Sequence, residues 1–118
     1  FHIEEEVYGP LYYYPGKSVS SSRQFESEMP EESMVVHLTA RPEVIESRME
    51  SQLHEYNMIK KDDIPMLLDR FKEEVNNSWL MKKIEIDTSD LSPNQLAQTF
   101  LTKARPLMTA RDLLITTA

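Results

Sequence analysis

The apolar pattern changes period twice between Met34 and Thr88. Val35, Val36 and Leu38 make a near-continuous apolar run, as expected of a parallel strand covered on both faces. From Lys83 to Asp87 the pattern alternates, with Ile84 and Ile86 on one side and charge on the other. That predicts an edge strand with one wet face. Two helical patterns lie between. The first begins at Pro42, suited to the first helical position, with Glu43 at the positive helix end. Ile45, Met49 and Leu53 form its stripe, and Arg41 and Arg48 lie off it, toward solvent or a ligand. The pattern fades near Glu55 to Asn57, and Met58 to Lys61 reads as a connector. The second helix begins at Asp62-Asp63 with Pro65 in its first turn. Ile64, Leu67, Leu68, Phe71, Val75 and Trp79 repeat at helical spacing as its apolar face. A parallel strand pair requires a long crossover, which these helices supply. The fold class is therefore α/β, as the C-terminal part of a larger parallel sheet with two parallel strands and three to four helices.

The flanks divide the chain into residues 1–32, a helix end, aromatic turn and surface loop, and residues 33–118, the strand–helix–connector–helix–strand–helix unit. Ile3 and Val7 give a short helical stripe, which Gly9-Pro10 is expected to end. Tyr12, Tyr13 and Tyr14 pack at that end or stack on a ligand. Gly16-Lys17-Ser18 matches the last letters of a phosphate-binding loop. Leu11 stands where its first glycine belongs, Pro15 lacks an N–H, and the tyrosines are bulky. The stretch reads as a turn. Ser18 to Glu32 has no usable period and reads as a surface loop. Ser92-Pro93-Asn94-Gln95 is a capping box opening a helix with Leu96, Phe100, Leu101 and Ala104 inward. Arg105-Pro106 ends it, and a last short helical turn follows from Thr109.

Composition then narrows the chemistry. The 118 residues suffice for one small domain, and the net charge of −7 repels phosphate backbones, so no nucleic-acid partner is expected. No apolar run approaches the roughly 20 residues of a membrane helix, so no membrane span is expected. With no cysteine, disulfides, thiolate metal sites and cysteine nucleophiles are excluded, and a reducing compartment fits. His2, His37 and His54 have no metal-binding spacing, so no metal site is expected in the chain itself.

Val36 to Met49 resembles the fourth strand and following helix of P-loop nucleoside and nucleotide kinases, in the thymidylate kinase and deoxynucleoside kinase group. Ile84 to Asp90, followed by Leu91-Ser92-Pro93, resembles their fifth strand and final helix. The similarity spans roughly residues 34 to 105. The resemblance implies the lid-bearing C-terminal part of an ATP-dependent kinase, with a small-molecule acceptor such as a nucleoside or nucleotide. It implies a lid from about Arg48 to Asp63, with Arg48 and Arg41 as catalytic cations on the phosphoryl group. Lys60, Lys61, Asp87 and Thr88 become candidate cofactor-binding residues, and Glu5, Tyr8 and Tyr12 candidate acceptor-binding residues by location. The family's Walker A lysine, magnesium-binding acid and first three strands precede the matched region. ATP and Mg²⁺ are thus implied only if that half is present. The inner edge at Val35 to Leu38 then calls for a missing N-terminal segment or another chain to cover it. A kinase-like module kept as a structural or regulatory subunit of a larger assembly is the alternative.

Overall fold

The computed structural model describes residues 2–15, 22–52 and 59–117. Its centre is a two-stranded parallel sheet, β1 (Met34–Thr39) and β2 (Lys82–Asp87). Met34 pairs with Lys82 and Thr39 with Asp87, in unbroken register. The crossover holds α3 (Pro42–Ser51) and α4 (Ile64–Asn77), the latter entered through a 3₁₀ turn at Lys61–Asp63. Before β1 come α1 (His2–Tyr8) and α2 (Ser22–Glu28); after β2 come α5 (Pro93–Ala104) and α6 (Ala110–Thr117). The molecule is thus α/β, as the change of period predicts.

Strand alternation sorts the sheet into two faces. On one, Ile84 and Ile86 pack with Ala104 of α5, edged by Met34, Leu91, Leu96 and Phe100. The capping box forms in full: Ser92 Oγ accepts from the Gln95 N–H at 3.2 Å, and Gln95 Oε1 accepts from the Ser92 N–H at 2.9 Å. On the other face, His37 stacks on Phe71 of α4 with ring centroids 6.5 Å apart. Its Nδ1 lies 3.3 Å from Glu85 Oε1. Tyr8 meets Phe71 edge-on at 5.3 Å, which seats α1 on α4.

Several sequence expectations change. β1 is not covered on both faces. Val36 is 38% and Leu38 53% exposed, because α5 lies over β2 and stops short of β1. Among the described residues no strand pairs with β1's other edge. Gly9-Pro10 does not end the first helix. The chain continues as a π-helical turn, Gly9–Tyr13, closed by the Tyr14 N–H on the Gly9 carbonyl at 2.6 Å. Pro10 falls in the first turn, where its missing N–H is not needed. Residues 22–28 of the expected surface loop are helical, with Glu26 buried. Trp79 leaves the apolar face of α4, because the helix ends at Asn77 and the ring is 62% exposed. Asp63 precedes α4 without a side-chain cap and instead accepts the Tyr12 hydroxyl at 3.0 Å. Leu53, His54, Lys17 and Ser18 lie outside the described residues.

Candidate functional site

In open α/β sheets, ligands gather outside the carboxyl ends of the strands. Here those ends are joined by one residue. The Thr88 N–H donates to the Thr39 carbonyl at 2.8 Å, and Thr88 Oγ1 donates to the same oxygen at 3.0 Å. Arg48 reaches down from α3, with Nη1 on Thr88 Oγ1 at 2.9 Å and Nη2 on the Thr88 carbonyl at 2.8 Å. Thr88 is 9% exposed, so this guanidinium contact is partly sheltered from water.

Arg41 makes a second, outer tie. Its N–H donates to Ser89 Oγ at 2.8 Å, and its guanidinium grips Asp90 at 2.9 and 3.2 Å. A fork-on-fork pair of this kind fixes direction as well as distance. The hydrogen bond to Asp90 raises the Arg41 pKa further and holds the Asp90 carboxyl below its usual range. Asp87 Oδ1 accepts from the Ser89 hydroxyl at 2.6 Å and the Ser89 N–H at 2.9 Å, and these bonds hold its carboxyl down as well. The β1–α3 corner is therefore laced to the turn after β2.

The structure thus brings Arg41, Arg48, Asp87 and Thr88 together and leaves the other candidates apart. Lys61 Nζ sits between Glu46 at 2.6 Å and Glu50 at 2.8 Å on α3, and these hydrogen bonds raise its pKa. Lys60 is exposed ahead of the 3₁₀ turn. Tyr12 is engaged with Asp63; its pKa is raised by burial and that bond. Tyr8 and Glu5 belong to the α1 side of the molecule. A groove of about 1240 Å³ links the two regions along β1, with Tyr8 among its walls on the α1 side and Arg48 and Thr88 among those beside α3. Its walls are mostly apolar, from Val36 and Leu38 to Ile45, Leu67 and Phe71. No group of metal-ligating side chains suited to a cation occurs among the described residues.

Sequence reasoning missed Asp90 as the partner of Arg41. The signal was the acidic residue in the turn directly after β2, facing a helix that starts directly after β1. It also missed Glu26, whose side chain is fully buried. That carboxylate accepts from Ser78 Oγ, from the Trp79 N–H at 3.0 Å and from Arg23 at 2.5 Å, with His2 Nε2 at 3.1 Å. Burial alone would raise its pKa; the hydrogen bonds from Ser78, Trp79, Arg23 and His2 outweigh that and lower it to about 2.

No family model matches the chain, and no match exists among curated proteins or solved structures.

Proposed function

We propose that this chain is the lid-bearing C-terminal part of an ATP-dependent small-molecule kinase, with a nucleoside or nucleotide as acceptor. The observation that carries the reading is Arg48, held from α3 against Thr88 at the carboxyl ends of a parallel pair, beside a long groove. A guanidinium there supplies a planar, permanently charged donor for a phosphoryl oxygen once it exchanges Thr88 for the ligand. Arg41 is the outer cation, and Asp87 and Thr88 line the cofactor side. Lys61 contributes least, since two glutamates already neutralise it. Mg-ATP would meet its main contacts on a segment that continues the sheet beyond β1, and the exposed Val36 and Leu38 are where such a segment would bury its apolar face.

The test is phosphoryl transfer from Mg-ATP to a panel of nucleosides and nucleotides by the natural gene product. Arg48→Ala is expected to lower kcat by about a thousandfold. Turnover unchanged by that variant would overturn the reading.

A second reading is favoured by a specific observation. Both arginines already have their hydrogen bonds met inside the chain. A kinase-shaped module kept as a structural subunit would look the same, with its β1 edge covered by a partner. It predicts no ATP binding in the natural protein and co-purification with a second chain.

A further inference from the structure

A second cavity, of about 850 Å³, adjoins the groove and shares His2, Glu4, Tyr8 and Met29 with it. Its walls combine the rings of Tyr8, Tyr13 and Phe25 with the carboxylates of Glu4, Glu5 and Glu28. Tyr13 and Phe25 are 49% and 56% exposed, so neither residue is closed off from a ligand. Among the described residues of α1 and α2, the basic side chains are engaged by other carboxylates. Arg23 is held by Glu26 and Glu74, and His2 by Glu26. Among the described residues, none sets a positive charge against Glu4, Glu5 or Glu28.

We propose that this cavity binds a small organic cation of the alkylated ammonium class. Aromatic faces carry negative potential and attract such a cation, while its alkyl groups take apolar cover. The carboxylates supply the charge that the rings alone lack. An anion is repelled by the same groups. A hard metal ion needs convergent oxygen ligands, and the described residues offer no such set. The volume falls in the roughly 300–1,000 Å³ range of small-molecule sites. A net charge of −7 enriches cations near the surface. Glu5 and Tyr8 are also the residues that the kinase resemblance assigns to the acceptor, but Arg48 is not among the residues lining this cavity, so choline binding and phosphoryl transfer are read by separate experiments.

The test is calorimetric titration of the full chain with choline chloride at low ionic strength. The uncharged isostere 3,3-dimethylbutan-1-ol serves as the control. Saturable binding of choline and none of the alcohol is expected. Phe25→Leu, which keeps apolar bulk at an exposed position, is expected to weaken choline about fivefold. Glu28→Gln is expected to weaken it by a similar factor. Equal binding of the two probes, no saturable binding of choline, or indifference to both variants would overturn the assignment.

Discussion

Glu26 joins distant parts of the chain through one buried carboxylate. Its carboxylate ties α1 through His2, α2 through Arg23, and the α4–β2 connection through Ser78 and Trp79. Its folded pKa of about 2 lies below the ordinary 4.5, so its stabilisation is complete above pH 4.5. It is lost as the pH falls toward 2, and the gap corresponds to about 3 kcal/mol. Glu26→Gln is expected to flatten the acid limb of stability in urea unfolding run at stepped pH; an unchanged limb would mean that the network does not form. Thr88 is the other joining residue. Thr88→Val keeps the shape but removes the hydroxyl that Arg48 and the Thr39 carbonyl share. A loss of about 1–2 kcal/mol is expected in the same unfolding measurement. The pattern put Arg48 on the first crossover helix and Thr88 just after the second strand, where the structure has them. It hid Glu26, because a periodicity reading counts apolar positions and this buried position is charged.

At the level of elements, the parts that were legible are the ones specified locally. The capping box of α5 and the alternation of β2 each occupy a few consecutive residues. Ser92→Ala is therefore expected to cost about 1 kcal/mol, read by thermal unfolding. The cover over β1 was not legible, since it depends on what lies beside the strand and not on the strand itself. The two strands differ in a way that can be measured. Ile86 is 2% exposed and Leu38 53%. Ile86→Ala is expected to cost about 2–5 kcal/mol. Leu38→Ala is expected to cost less than about 1 kcal/mol. Similar losses at both sites would mean that Leu38 is covered in solution.

For the whole molecule, the Cα radius of gyration is 16.2 Å. A compact chain of this length would have roughly 13–14 Å. The difference fits a chain whose sheet has only one strand edge satisfied. β1 carries none of the lysines or prolines that usually blunt such edges. Net repulsion at −7 opposes association without blocking that strip. Leu38→Lys is expected to reduce self-association in sedimentation velocity while leaving the unfolding midpoint within error.

The register also has a consequence in time. Met34 pairs with Lys82, 48 positions later. On a growing chain, β1 emerges long before β2 and waits with the edge that β2 covers still open. The crossover helices can form in the meantime from neighbouring residues, but the sheet cannot. The interval between synthesis of β1 and of β2 thus leaves that edge exposed to misassembly. A slowed ribosome within the crossover would lower its yield more than the same pause after Asp87.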